Sequence, residues 1–404
     1  MTYNIVAPTR IEPARIEGDI KIELAETSLA LARASDRLGA NLPAATLAQV
    51  AAMIRVMNSY YSNRIEGNNT RPREIEAALA GTFDEDPRRR ALQRESAAHV
   101  RIQAEIDRRA AAGSLEDPSH PDFIYWLHRE FYRDVEGEDL ILRRADASGR
   151  GEIVMQPGVW RDGDVEVSDH VPPPHDRVQS FMDHFHTRFR QDWLHGQTAK
   201  ILAVATAHHR MNFIHPFYDG NGRVSRLMSH AMAHHADIGA GGLWSVSRGL
   251  ARGLVGGIPG REEYPDMMRL ADRVRQGDRD GRGNLSVAAL TRYTGWFLDV
   301  CLDQVNFMAE LLDFDGLGGR LTRFAAAQDF RSGGADLLRV TLIRGQVERG
   351  DVAAILGVAP RTARAVIKEL TDNGVLGSET PRAALELRFP SHTHEMLFPR
   401  LFEG

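Results

Sequence analysis

The chain has 404 residues, 43% apolar and 26% charged, with a net charge of −5. That length exceeds one ordinary core and implies two or three domains, while the mild acidity argues against a protein that coats nucleic acid through a broad positive field. Apolar runs near twenty residues are missing, the start lacks the basic-then-apolar order of a secretory signal, and the one cysteine, Cys301, closes no internal disulfide; the expectation is a cytoplasmic chain with no membrane partner.

Residues 20–109 carry apolar side chains at three and four spacing, as in Leu24, Leu29, Leu31 and then Leu47, Met53, Ile54, Met57, which predicts helix throughout. Inside that stretch, Ser62-Asn63-Arg64-Ile65-Glu66-Gly67 reads as a helix C-terminus with Gly67 suited to the cap. Glu66 then sits at the negative pole of its helix and gains from a cation supplied elsewhere in the chain. Gly113, Ser114, Pro118 and Pro121 mark a connection at 112–121, and helix is expected again at 123–134. Between 147 and 174, Gly, Pro and alternating apolar residues replace the helical period. Val159 and Trp160 on one side, and Val165 and Val167 on the other, flank Arg161-Asp162-Gly163-Asp164. Because Asp-Gly favours a type I′ turn, a β-hairpin is placed there. A plain structural hairpin is one open reading of it. Helical patterning resumes at 178–189 and 198–211.

The next stretch, His215-Pro216-Phe217-Tyr218-Asp219-Gly220-Asn221-Gly222-Arg223-Val224-Ser225-Arg226, is the most informative in the chain. Gly220-Asn221-Gly222 permits a tight turn whose amides converge, and it feeds a helix expected to begin near Arg223. A helix N-terminus is already positive, so Arg223 and Arg226 are poorly placed there unless something strongly negative joins them; a polyphosphate resolves the conflict. Asp219 suits the Mg²⁺ that accompanies a nucleotide, since a hard cation prefers carboxylate and phosphate oxygen. His215, fixed by Pro216, suits a general base near neutral pH. A loop is expected at 277–283 and a long helix at about 286–312, with Gly316, Gly318 and Gly319 marking the next boundary.

The segment from His215 to Arg226 resembles the Fic family, whose signature HPFx(D/E)GNGRxxR it matches at every specified position. The resemblance implies transfer of AMP from ATP to a hydroxyl of a protein target, the chain itself included. His215 is then the catalytic base and Asp219 the Mg²⁺ ligand. Gly220, Asn221, Gly222, Arg223 and Arg226 bind the nucleotide, with Arg226 on the γ-phosphate. It also implies a flap that pairs with the target, for which Val159, Trp160, Asp162 and Gly163 are the candidates, and an inhibitory helix of pattern (S/T)xxxE(G/N), matched by Ser62, Glu66 and Gly67. In such a helix Glu66 pairs with Arg226 and holds the nucleotide in an unproductive pose; some members also remove AMP. Tyr264 and Trp244 are candidates for the adenine side.

Toward the C-terminus, residues 351–370 read as helix, tight turn, helix, and Asn373-Gly374-Val375-Leu376 begins a short wing, which resembles a winged helix-turn-helix. Arg361, Arg364 and Lys368 fall on one helix face, as a DNA-reading helix requires. From 336 to the end there are nine basic and nine acidic residues, thin for phosphate contact. DNA and a protein surface are therefore both candidate partners, as is a second copy of the chain in a homodimer. The expected fold is mainly α: a helical N-terminal region carrying the inhibitory motif (1–115), a Fic catalytic domain with a β-hairpin flap (116–315) and a winged helix-turn-helix (316–404). The competing functional reading is a DNA-binding regulator with a Fic sensor domain.

Overall fold

The computed structural model describes residues 7–402 apart from 136, 147–148, 168–169 and 255–259. The chain begins with α1 (Ile22–Arg37), α2 (Ala44–Ile65), α3 (Pro72–Leu79) and α4 (Pro87–Ala111). Local chemistry sets the boundaries. The Asp86 carboxylate caps α4 by accepting from the Arg88 and Arg89 amides at 2.9 and 3.0 Å, and Pro87 occupies the first turn, where a missing N–H leaves nothing unpaired. At the end of α2, Gly67 takes φ of +84° and the Asn68 amide reaches back to the Asn63 carbonyl at 2.9 Å, the left-handed cap expected of glycine.

Next come α5 (Pro121–Phe131), an antiparallel pair β1 (Ile141–Asp146) and β2 (Gly149–Val154), and α6 (Val178–Phe189), α7 (Gln197–Ile214) and α8 (Asn221–His235). Nearly every side chain of α7 from Ile201 onward is buried, and α6, α8 and α11 pack around it, so it is the axis of the core. Three helices complete this region: α9 (Val246–Arg252), α10 (Gly260–Ala271) and α11 (Val287–Leu311), the last capped by Ser286 Oγ accepting from the Ala289 amide at 3.0 Å. Helix α2 lies between α4 and α9, and α1 runs along α11.

The remaining elements are α12 (Phe314–Ala327), α13 (Gly334–Arg344), β3 (Gln346–Val347), α14 (Val352–Leu356), α15 (Pro360–Asn373), β4 (Leu376–Gly377), β5 (Leu385–Leu387) and α16 (His394–Leu397), with the strands in the antiparallel order β3-β5-β4. This end of the chain docks on α2. Gln49 Nε2 donates to Glu386 at 3.2 Å, Tyr61 Oη to the Leu401 carbonyl at 3.1 Å, and Phe402 meets Tyr60 edge-on at 5.7 Å. Arg248 on α9 donates to the Arg400 and Leu401 carbonyls at 2.8 and 3.2 Å. Among the described residues, no helix is long and apolar enough to cross a membrane.

Two expectations need correction. The hairpin lies at 141–154, not at 159–167. Neither Asp162 nor Gly163 has the positive φ a type I′ turn requires, and Arg161 just before them ties this stretch to the loop after α7 instead of to a partner strand. Residues Gly316, Gly318 and Gly319 sit inside α12 and do not break the chain: Asp313 caps that helix through the Gly316 amide at 2.7 Å, and Leu317, Leu321 and Phe324 bury one face of it.

Candidate active site

The loop at 215–220 joins α7 to α8, and several unconnected elements hold its shape. His215 closes α7 in the left-handed region, φ +50°, with its amide on the Met211 carbonyl at 3.0 Å. That conformation is uncommon for a residue with a Cβ and is held from outside. Arg161, a fully buried side chain, donates from Nε to the His215 carbonyl at 2.8 Å, and its amide donates to the Pro216 carbonyl at 2.9 Å. Its other guanidinium nitrogens reach the Gly163 and Pro173 carbonyls. Phe217 is buried and stacks on His128 with ring centroids 3.8 Å apart. Because His128 Nδ1 accepts from the Gly158 amide at 2.8 Å, the ring proton sits on Nε2 and is donated to the Asp219 carbonyl at 3.2 Å. Asn221 staples the turn, accepting from the Phe217 amide at 3.0 Å and donating to the Phe217 carbonyl at 2.8 Å.

Two glycines of the turn have close neighbours, and one of them also takes a left-handed backbone. At Gly220, φ is +80° and a Cβ would stand 2.9 Å from the Tyr132 ring; at Gly222, a Cβ would stand 2.5 Å from Glu66 Oε1. Helix α8 starts at Asn221, two residues earlier than expected, so the first-turn amides of Asn221, Gly222 and Arg223 belong to the helix terminus itself.

The two arginines of the motif separate. Arg226 is 1% exposed and binds the end of α2: Nη2 meets Glu66 Oε1 at 2.6 Å, and Nε donates to Ser62 Oγ at 2.9 Å. Arg223 turns the other way, ion-paired with Glu95 on α4 and, through Nη2, with Asp219 Oδ2 at 2.9 Å, its guanidinium over the Phe131 ring. Tyr132 Oη also donates to Asp219 Oδ2, at 2.7 Å. Burial pushes the Glu95 carboxyl up, while the Arg223 charge and the Tyr132 hydrogen bond prevail over burial to hold Asp219 below its ordinary value. Arg223 is thus a brace for Asp219, and of the loop residues expected to bind nucleotide and metal, Gly222 and Arg226 border the cavity beside the loop while Asp219, Gly220, Asn221 and Arg223 do not.

A cavity of about 1030 Å³ opens beside the loop, bordered by Glu66, His215, Gly222, Arg226 and Tyr264. That volume suits a nucleotide-sized ligand. Burial is the main cause that pushes the His215 imidazole down to about 4, with the nearby His170 and Arg161 adding to it, so the ring is neutral at pH 7. Tyr264 Oη is engaged by His208 Nε2 at 2.7 Å. Trp244 does not border this cavity; its indole donates to the Ile238 carbonyl at 2.7 Å in a separate part of the core. Val159, Trp160, Asp162 and Gly163 are also absent from the lining: Trp160 packs on Tyr125 at 4.0 Å and Asp162 accepts from Tyr218 Oη at 2.6 Å. The rim nearest to them is formed by Val167 and His170, whose backbones exchange hydrogen bonds of 3.0 and 2.9 Å. Glu95, His128, Tyr132 and Arg161 carry no spacing signal that could have singled them out.

A family model described as Fic/DOC family matches residues 118–233, the span from α5 to α8. The chain is 37% identical over 86 residues to a protein adenylyltransferase Fic of Nematostella vectensis and 35% identical over 86 residues to one of Aedes aegypti. Each match covers 20% of this chain and only 19% and 16% of those relatives. The chain therefore spans a fifth or less of the length of the curated relatives it matches. A solved Fic family protein from Desulfovibrio desulfuricans G20 shares the fold over 92% of this chain and 97% of that one, at 17% identity and a TM-score of 0.50.

Proposed function

Starting from a chain that carries a Fic/DOC family domain, we propose that it transfers AMP from ATP to a hydroxyl side chain of a protein, and that Glu66 restrains the reaction. The observation that carries this reading is the loop from His215 to Arg226, which sets His215, Gly222 and Arg226 on the wall of a nucleotide-sized cavity beside the first turn of α8. The hydroxyl oxygen attacks the α-phosphorus, the bond to the bridging oxygen breaks, and pyrophosphate leaves with the electron pair. Neutral His215 takes the hydroxyl proton. A hydroxyl-bearing segment would approach past Val167 and His170. The α8 amides and Gly222, which has no side chain to fill the space, leave room for phosphate oxygens to come close to backbone.

Asp219 fits a magnesium ligand: its side chain is 43% exposed, and Tyr132 and Arg223 hold Oδ2 in place while stabilising the carboxylate. Mg²⁺ bound there with the phosphates would neutralise charge that develops on the leaving pyrophosphate. The Glu66 carboxylate occupies Arg226, the one motif guanidinium that borders the cavity, and so competes with a γ-phosphate for it. The same carboxylate, next to the reacting centre, could orient water for removal of AMP.

The test is transfer of label from ATP and Mg²⁺ onto protein by the unmodified chain, Glu66→Gly and Glu66→Gly/His215→Ala, with and without lysate. Label confined to Glu66→Gly supports both transfer and restraint. Nucleotide binding without labelling in any variant sinks the transfer reading. Exposed Arg361, Arg364 and Lys368 on α15 favour a second reading, a regulator that binds duplex DNA. Salt-sensitive duplex binding that survives His215→Ala would support it.

A further inference from the structure

Helix α8 continues past Arg226 to His230 and His234, which stand at i and i+4 on one face. Both Nε2 atoms converge on a single oxygen of α4, Asp107 Oδ1, at 2.6 and 3.0 Å, and they lie 3.3 Å from each other. The three side chains are 7 to 11% exposed, with His234 the most accessible. The other Asp107 oxygen accepts from Arg55 Nε on α2 at 2.8 Å, and Gly242 leaves just enough room for the carboxylate, since a Cβ there would be 2.9 Å from Oδ2.

Hydrogen bonding alone holds this triangle only if one carboxylate oxygen accepts from both imidazoles. If both Nε2 atoms carry protons, two N–H groups crowd one oxygen and face each other at 3.3 Å; if one does not, its lone pair points at a carboxylate lone pair. A cation among the three atoms removes the conflict. Tetrahedral coordination at about 2.0–2.1 Å places neighbouring ligand atoms roughly 3.3 Å apart, which the two imidazoles already match, and a small outward shift of Asp107 completes it. Two imidazoles and a carboxylate form a donor set suited to Zn²⁺ and its neighbours rather than to Mg²⁺ or Ca²⁺. Arg55 is the outer partner that fixes the ligating carboxylate.

We propose that Asp107, His230 and His234 form a structural site for a divalent transition cation of the Zn²⁺ class, with a fourth position open to water. The site is separate from the Asp219 position and stands whether or not the chain transfers AMP. It rivets α8 to α4 and, through Arg55, to α2, the helices that carry Arg226, Glu95 and the segment ending at Glu66.

The full chain, stripped with a chelator, is titrated with Zn²⁺ alone and with Co²⁺ alone. One equivalent of Zn²⁺ per chain, a rise in melting temperature on adding it, and the intense visible absorption of four-coordinate Co²⁺ are expected. His234→Ala and Asp107→Asn should each weaken Zn²⁺ binding by more than about 100-fold, beyond the loss typical of an outer-sphere change, while His235→Ala on the same helix binds as before. Circular dichroism reports whether the variants fold, and the Co²⁺ spectrum of the unmodified chain decides the matter without them. Substoichiometric Zn²⁺, a weak six-coordinate Co²⁺ spectrum, or equal affinity in folded ligand variants overturns the site.

Discussion

Replacing Glu66 by Gly removes the carboxylate that meets Arg226 at 2.6 Å and leaves a guanidinium 1% exposed that still bonds Ser62 Oγ and the Ser62 carbonyl. Stripping one member from a fully buried pair costs about 3–5 kcal/mol. Glu66 is 32% exposed, and the Ser62 bonds survive, so roughly 1–3 kcal/mol is the expected loss here. A polyphosphate placed beside Gly222 would return a negative partner to Arg226 and recover that loss. Without nucleotide, Glu66→Gly should melt a few degrees below the unmodified chain; with saturating ATP and Mg²⁺ the gap should close, since the ligand stabilises the folded state by mass action and binds the variant more tightly. Thermal shift measured in parallel with label transfer checks both halves. Equal ATP-induced shifts in the two proteins, with no gain in labelling, would refute the claim that Glu66 and a γ-phosphate compete for Arg226.

Acidification offers a test of burial. His99, His128, His208 and His215 are pushed down to about 3, 4, 3 and 4, chiefly by burial. Below about pH 6.5 the unfolded chain binds protons that the folded chain refuses, so stability present above that pH is lost as pH falls toward 4, at up to about 5 kcal/mol per unit once all four titrate in the unfolded state; a denaturation midpoint that holds steady from pH 7 to 5 contradicts these burials. For the same reason the transfer rate should show no acid limb from His215 near 6.5 but only one nearer 4, in single-turnover measurements on Glu66→Gly. Arg161→Met, which frees the His215 carbonyl, should lower single-turnover transfer about 100-fold through misplacement of His215, with ATP affinity nearly unchanged by calorimetry. Stopping the chain after Pro399 removes the Arg400 and Leu401 carbonyls that accept from Tyr61 and Arg248; this should loosen α2 and raise labelling toward the Glu66→Gly level, and labelling that stays at the basal level would uncouple the C-terminal segment from Glu66.

The loop at 215–226 was legible because its pattern is local. Residues 215–226 are contiguous, their glycines and charges follow from backbone geometry and the helix terminus, and the predicted cap at Gly67 rests on the same short-range rules. The hairpin was misplaced for the opposite reason. Asp162-Gly163 has the composition of a tight turn, but Arg161 spends its hydrogen bonds on the His215 and Pro216 segment, and that long-range anchor overrides local turn preference. The glycines of α12 misled in the same way, because burial of Leu317, Leu321 and Phe324 outweighs their poor helix propensity.

By itself, then, the sequence determined a mainly helical chain, a phosphate-suited loop entering α8, and a glutamate at a helix end in need of a cation. Only the tertiary structure decided which arginine answers Glu66, that Arg223 belongs to Glu95 and Asp219, and that Asp107 meets His230 and His234. Those partners are separated by as many as 160 residues, and the contacts form only when α2, α4 and α8 pack together, so neither spacing nor periodicity along the chain encodes them.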